Sequence, residues 1–371
     1  MRYKRIVIKL GTNLLTGGTH YLSNEIMADI VRQISFLHSE RCEIVVVSSG
    51  AVAAGRQKLG LSGERRKDIP FKQVLAAVGQ NQLMYRYEQL FKIYDITVAQ
   101  ALLTKTDIME RAGYLNARNT LLALIDLKVI CIVNENDVVA TDELKVHRFG
   151  DNDNLSAMVA NLIDADMVML LSDIDGLYTS DPHHDNGAVR IPVVGQITDE
   201  IESLAGGVAN SRGTGGMITK IEAARLAASS GVTTVIANGR TPDVIKKVIS
   251  GADTGTVFLP RSDKIDSRKR WILSGLCCKG SLSIDDGAAL ALKKGNKSLL
   301  PAGITSIHGE FERGDIVDII DPASKLIGYG ICNYSSEDIY AIKGAHSSDI
   351  EKILGYGYGA EIVHRNNMVI T

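Results

Sequence analysis

Along residues 1–258, short apolar runs alternate with segments whose apolar positions recur every three or four residues. The runs at 4–10, 43–48, 96–101, 129–133, 167–171 and 232–237 are continuous in Val, Ile and Leu rather than alternating. Such runs predict strands buried on both faces. The segments 23–39, 68–93, 114–127, 153–164 and 217–230 predict helices. Strand–helix alternation predicts an α/β domain, a mostly parallel sheet sandwiched by helices. In the fourth helical segment Leu155, Met158, Val159, Leu162 and Ile163 form one stripe at helical spacing. Asn152 and Asp153 stand before that stripe begins. Helix capping accounts for one of them, but not for the whole polar run Gly150-Asp151-Asn152-Asp153-Asn154.

The pattern changes after Gly255. Pro260 to Arg270 is polar and proline-marked, as linkers are. Beyond Trp271 come short β-like runs with glycine turns, at 280–284, 304–307, 315–320 and 326–331. We therefore read 1–258 as a catalytic domain, 259–270 as a linker, 271–355 as a small mainly-β domain and 356–371 as a C-terminal tail.

Composition narrows the class. A chain of 371 residues, 45% hydrophobic with mean hydropathy +0.05, can bury a large core. Net charge −2 gives no whole-chain attraction to nucleic acid or anionic membrane. No apolar run reaches the roughly 18 residues of a membrane span, and no signal-peptide pattern opens the chain. The five cysteines, Cys42, Cys131, Cys277, Cys278 and Cys332, lack metal-site spacing. They read as reduced thiols in a cytoplasmic protein. His183-His184 lies in a polar loop, where a solvated turn is the simpler reading.

Ligands of parallel sheets collect at the carboxyl ends of strands. The loops 11–13, 48–50, 134–137 and 172–173 all fall there. Three glycine-marked loops stand out: Ile8-Lys9-Leu10-Gly11-Thr12-Asn13, Val47-Ser48-Ser49-Gly50-Ala51, and Gly213 to Lys220. Glycine lets backbone N–H groups approach a phosphate, and a helix N-terminus adds a favourable dipole. Lys9 and Lys220, at opposite ends of this region, suit a site that neutralises a phosphoryl group from two sides. Gly213 to Lys220 carries Ile218 where a Walker A loop has its second glycine, and no G-x-G-x-x-G follows the first strand. Neither a P-loop NTPase nor a dinucleotide dehydrogenase is favoured. Phosphoryl transfer needs positioning and charge neutralisation, with Mg²⁺ on the nucleotide. Asp153 is placed either to orient the lysines or to assist the metal. A carboxylate acceptor, with a pKa near ~4.3, is already ionised and needs no general base. In Asn134-Glu135-Asn136-Asp137, Asp137 suits a substrate ammonium, while Asn134 and Asn152 suit carboxylates. Asx-turns at strand ends account for one such loop equally well.

Together these motifs resemble the amino acid kinase family over almost the whole chain. The matching runs are I-K-L-G-T at 8–12, S-S-G-A at 48–51, L-A-A-V-G-Q at 75–80, L-N-A-R-N-T at 115–120, I-V-N-E-N-D at 132–137, G-D-N-D-N-L-S-A at 150–157, D-G-L-Y-T at 175–179 and G-T-G-G-M-x-T-K at 213–220. The C-terminal part resembles a PUA domain, with G-x-x-S-L-L-P-x-G-I at 295–304 as its matching run. The resemblance implies the amino acid kinase fold and ATP-dependent phosphorylation of the L-glutamate 5-carboxylate to L-glutamyl 5-phosphate. That is the first step of proline biosynthesis, often inhibited by proline. It implies ATP and Mg²⁺ as cofactors, hand-over of the labile product to a glutamyl phosphate reductase, and a homodimer or homotetramer. It assigns Lys9 and Lys220 to the transferred phosphoryl group and Asp153 to organising them. Ser49, Gly50, Asp137 and Asn152, with Asn134, would bind glutamate. Lys9, Gly11, Ser172, Asp173 and the loop Thr214, Gly215, Gly216, Met217 to Lys220 would hold ATP. Two departures stand out: Val146-His147-Arg148-Phe149 lengthens the segment before Gly150, and Ser172 stands where the family commonly has Thr.

Rival acceptors within the family are N-acetylglutamate, aspartate and UMP. Asp137 disfavours N-acetylglutamate, which has no ammonium. RNA binding through 271–355 is the reading from another class. Eight Lys/Arg against eleven Asp/Glu in that segment give the wrong sign for a phosphate-tracking surface.

Overall fold

The computed structural model describes residues 3–61, 68–140, 152–182, 184–185, 187–206, 216–260, 278–295 and 297–370. They divide into two compact units. The first comprises Met1–Met109 and Ala117–Lys264, the second Glu110–Asn116 and Ile265–Thr371.

The first unit is built on an eight-stranded sheet. Its strands are β1 (Arg5–Leu10), β2 (Glu43–Ser48), β3 (Val98–Leu103), β4 (Ile130–Glu135), β5 (Met167–Ser172), β6 (Val193–Val194), β7 (Thr233–Asn238) and β8 (Thr256–Phe258). The order is β3-β4-β2-β1-β5-β7-β8-β6. From β3 to β7 every pairing is parallel, while β8 runs antiparallel to β7. The described helices are α1 (Thr12–Leu15), α2 (Asn24–Ser39), α3 (Ala51–Lys58), α4 (Ile69–Lys92), α5 (Lys105–Met109), α6 (Arg111–Asp126, of which 111–116 belong to the second unit), α7 (Asn152–Leu162), α8 (Asp199–Gly206), α9 (Met217–Ser229) and α10 (Val244–Ser250).

The six long strands and five long helices lie where the hydrophobic pattern predicts them, but β3, at the edge of the sheet, is only partly buried rather than buried on both faces. The short pieces were not legible. In α3 the reason is its composition, Ala-Val-Ala-Ala-Gly, which shows no helical stripe. Those small residues serve packing: a Cβ on Gly55 would sit 1.9 Å from the Leu75 carbonyl oxygen, and one on Gly79 would sit 1.7 Å from that of Ala51. Only glycine lets α3 and α4 approach this closely.

Strand alternation sorts the central residues. Ile6, Ile8 and Leu10 of β1, with Ile44 and Val46 of β2 and Met167, Met169 and Leu171 of β5, join side chains of α2, α3, α4 and α10 in one core. Side chains two apart on a strand share a face. Val7 and Lys9 therefore point to the other face, where α7 packs on β1. Burying one large aliphatic side chain contributes roughly 1.5–3 kcal/mol. Lys9 is thus a charged residue inside a strand whose other inner positions are aliphatic.

The second unit has its own five-stranded sheet, formed by β9 (Gly280–Ile284), β10 (Ile304–His308), β11 (Ile316–Ile320), β12 (Leu326–Ile331) and β13 (Met368–Ile370), in the order β10-β9-β11-β12-β13. Only the β9–β11 pair is parallel. Among the described residues three helices, α11 (Asp286–Gly295), α12 (Ser336–Ile342) and α13 (Ile350–Leu354), accompany it. Its core centres on Leu282, Val317, Ile319, Tyr334, Ile339 and Val363. The stretch 356–371, set apart as a tail by its sequence, supplies β13 and so belongs to this sheet. Much of the segment read as a linker, together with Val146–Phe149, lies outside the described residues. Among the described residues no helix is long and apolar enough to cross a membrane. Cys131 and Cys332 carry free thiols, both buried.

Candidate active site

Three chain segments meet beyond the carboxyl ends of β1, β2, β4 and β5. Lys9 is the penultimate residue of β1. Asp153 lies in the first turn of α7, and Lys220 in the first turn of α9. Asp153 Oδ1 lies 2.5 Å from Lys9 Nζ, and its Oδ2 lies 3.1 Å from Lys220 Nζ. Thr219 Oγ1 donates to the same Oδ2 at 2.9 Å. All three charged residues are buried, at 6%, 1% and 4% exposure for Lys9, Asp153 and Lys220. Charges this deep persist only when paired. Burial alone would raise the Asp153 pKa. The attraction of Lys9 and then Lys220, with the hydrogen bonds from Lys9 and Thr219, outweighs it and holds the carboxyl well below the usual carboxylate range. Asp153 is therefore ionised, one carboxylate between two ammonium groups.

The residue before it, Asn152, starts a second cluster. Asn152 Nδ2 donates to Ser49 Oγ at 2.8 Å and to Asn134 Oδ1 at 3.1 Å. Asn134, in β4, also accepts from the Glu135 backbone N–H at 2.9 Å and donates to Gln80 Oε1 at 2.8 Å. Ser49 and Gly50 form the turn between β2 and α3. Gly50 has φ +106° with Leu22 and Leu15 close to where a Cβ would stand, so glycine is required there. Because Asn152 and Asp153 are consecutive, the amide cluster and the lysine pair are adjoining parts of one site.

Asp137 sits on the turn after β4, half-buried, with its carbonyl held by Gln73 Nε2 at 3.2 Å. On the neighbouring strand end, the Gly11 N–H donates to the Leu171 carbonyl at 3.2 Å, which ties the first loop to β5. Asn13 Nδ2 donates to Asp173 Oδ2 at 3.2 Å, and the buried Ser172 Oγ accepts from the Ile174 N–H at 3.4 Å. Gly216 is the N-cap of α9 and has no side chain of its own to cap the turn that follows. Its first N–H groups are the kind that receive phosphates. Met217 is buried behind it. Thr214 and Gly215 lie outside the described residues.

Gln80 has no role that the sequence announces, being only the end of L-A-A-V-G-Q, and Thr219 is announced only as part of the nucleotide loop that ends at Lys220, not as a partner of Asp153. Both act through contacts more than fifty residues away along the chain, which no local pattern reveals.

The fold is a mostly parallel α/β sheet with a buried charged cluster at its strand ends, and comparison with known proteins gives its class. The amino acid kinase family model matches residues 4–238, and the PUA domain model matches residues 280–354. The chain belongs to the amino acid kinase family. Within that family it is similar to proteins named glutamate 5-kinase. One from Dehalococcoides mccartyi (strain CBDB1) is 59% identical over 368 residues, 99% of this chain and 98% of the relative. One from Herpetosiphon aurantiacus is 49% identical over 367 residues, 99% of this chain and 98% of the relative. One from Haemophilus influenzae (strain PittGG) is 49% identical over 371 residues, all of both chains. Among solved structures, UMP kinase from Bacillus anthracis aligns with TM-score 0.48 and 18% identity, over 70% of this chain and 97% of that one.

Proposed function

We propose that the chain transfers the γ-phosphoryl group of ATP to the 5-carboxylate of L-glutamate, yielding ADP and L-glutamyl 5-phosphate, the first step of proline biosynthesis. The observation that carries this reading is the buried Lys9–Asp153–Lys220 cluster standing one residue from the Ser49–Asn134–Asn152 amide cluster. A carboxylate oxygen attacks the γ-phosphorus, the bond to the bridging oxygen breaks, and ADP leaves with that electron pair. The acceptor is ionised at neutral pH, so no residue need remove a proton. Catalysis then rests on placement and on charge.

Each residue has a part in that scheme. Lys9 and Lys220 face the transferred group from two sides. Asp153 holds them at fixed spacing and keeps their mutual repulsion from splaying the site. Both of its oxygens are engaged by lysines, so organising them, rather than ligating metal, is its role. Mg²⁺ bound with the nucleotide would supply neutralisation of phosphate charge. Gly11, Ser172, Asp173 and the segment Thr214 to Lys220 form the nucleotide side. Ser49, Gly50, Asn134, Asp137 and Asn152 form the glutamate side, with Asp137 for the ammonium.

The relatives' names support glutamate as the acceptor. Inhibition by proline, hand-over of the product to a glutamyl phosphate reductase, a dimeric or tetrameric state and a cytoplasmic location belong to the same reading. The test is ATP-dependent trapping of the acyl phosphate with hydroxylamine in Mg²⁺ buffer, comparing L-glutamate, N-acetylglutamate and L-aspartate, with and without proline. Hydroxamate from glutamate alone is the expected result. Hydroxamate only from another acid reassigns the amide cluster, and none from any acid overturns the reading.

A further inference from the structure

The amide cluster has a direction, and its direction is set by the backbone. The Glu135 N–H can only donate, so the Asn134 atom it meets at 2.9 Å is Oδ1. The other end of Asn134 is then Nδ2, and the Gln80 atom facing it at 2.8 Å is the acceptor Oε1. The Asn152 atom facing Asn134 Oδ1 must likewise be the donor Nδ2. Two atoms are left over at the ends of this relay: Gln80 Nε2, a donor, and Asn152 Oδ1, an acceptor. Both are buried and have no hydrogen-bond partner among the described residues. Buried polar groups in folded proteins are almost always paired. Two orphans of opposite sense, on one relay beside a charged cluster, mark places kept for a ligand.

Gln80 reaches the cluster because of the helix packing beneath it. It follows Gly79, whose missing side chain lets α4 press against the first turn of α3 just after Ser49 and Gly50. We propose that Gln80 is a further residue of the acid-binding site. Its Oε1 anchors Asn134, and its Nε2 donates to a carboxylate of the bound acid. Asn152 Oδ1 accepts from a donor on the same molecule. A ligand bearing both an anion and an N–H donor, as an α-amino acid does, satisfies both ends. This inference rests on the reading of the site as one for an amino acid acceptor.

Gln80→Glu and Gln80→Leu test it, with KM for glutamate and for ATP measured in the hydroxamate assay and folding followed by thermal denaturation. Gln80→Glu is isosteric and still accepts from Asn134 Nδ2. It replaces the open donor by an anion. If Nε2 meets a carboxylate, Gln80→Glu raises the glutamate KM by ~10- to 100-fold and is at least as impaired as Gln80→Leu, with the ATP KM within about twofold of wild type. If Gln80 only supports Asn134, Gln80→Glu keeps the wild-type glutamate KM while Gln80→Leu does not, and the proposal is overturned. A glutamate KM unchanged in both variants overturns it too. Should Gln80→Leu not fold, Gln80→Glu alone decides between these outcomes. Failure of the wild type to use glutamate strikes the proposed function instead, and the same two variants are then read on whichever acid the wild type accepts.

Discussion

Replacing Asp153 by asparagine keeps the shape of the side chain and removes one negative charge from between two lysines. Lys9 Nζ, 2.5 Å away, and Lys220 Nζ, 3.1 Å away, lose their shared partner in a place with almost no solvent. Removing one member of a buried ion pair costs about 3–5 kcal/mol, because a buried charge is left uncompensated. At ~2–4 °C per kcal/mol, the thermal midpoint of Asp153→Asn should fall by on the order of 10 °C. The kinetic effect is separate. On the proposed mechanism, two lysines that repel each other no longer hold the positions from which they would stabilise the transferred phosphoryl group. Loss of one preorganised charge contact costs ~10²–10³ in rate. The assay is kcat by hydroxamate trapping, beside the thermal midpoint of the same sample. A lowered midpoint with kcat within twofold of wild type would refute the catalytic part and leave Asp153 a packing residue. The pH dependence supplies a sign check. The Asp153 carboxyl titrates lower in the folded chain than in the unfolded one. Its stabilisation is therefore complete above the unfolded value near ~3.9 and is lost as pH falls through the folded one. The stability gap between wild type and Asp153→Asn should be constant from pH 8 to about pH 5 and narrow below about pH 4. A gap that narrows at neutral pH would refute the ionised assignment.

Three further outcomes are expected. Lys9→Ala and Lys220→Ala should each lower kcat by ~10²–10³ through loss of a contact made in the transition state, and unchanged kcat in both would remove the proposed mechanism. Asp137→Ala should act mainly on the glutamate KM, raising it ~10-fold or more for a lost charge-assisted hydrogen bond, while a change confined to the ATP KM would move Asp137 to the nucleotide side. Gly79→Ala places a Cβ 1.7 Å from a backbone oxygen of α3. It should destabilise by about 1–3 kcal/mol or more in a denaturant titration, and an unshifted midpoint would contradict the helix contact.

What the sequence determined by itself was periodic or local. Uninterrupted runs such as Arg5–Leu10 and Met167–Ser172 announce strands buried on both faces, and the 3.6-residue stripe of α7 announces its helix, because burial imposes those periods directly. The loops after β1, β2, β4 and β5 could be named as the ligand edge because parallel strands put their carboxyl ends on one side. Lys9, Asp153 and Lys220 were legible as candidates from their places in those loops and helix starts. The tertiary structure decided which of them touch. Asp153 carries Lys9 on one oxygen and Lys220 and Thr219 on the other, contacts that span more than sixty residues and follow from α7 and α9 packing on the same face of β1 and β7. It also decided the short helix α3, whose alanines and glycines show no stripe because they are chosen for a close crossing with α4. Gln80 is the clearest case. On a helix it is one polar residue among many, and only the alignment of Glu135 N–H, Asn134 and Asn152 shows which of its two ends is paired and which is left open. Hydrogen-bond direction is a property of groups brought face to face, and chain order alone does not contain it.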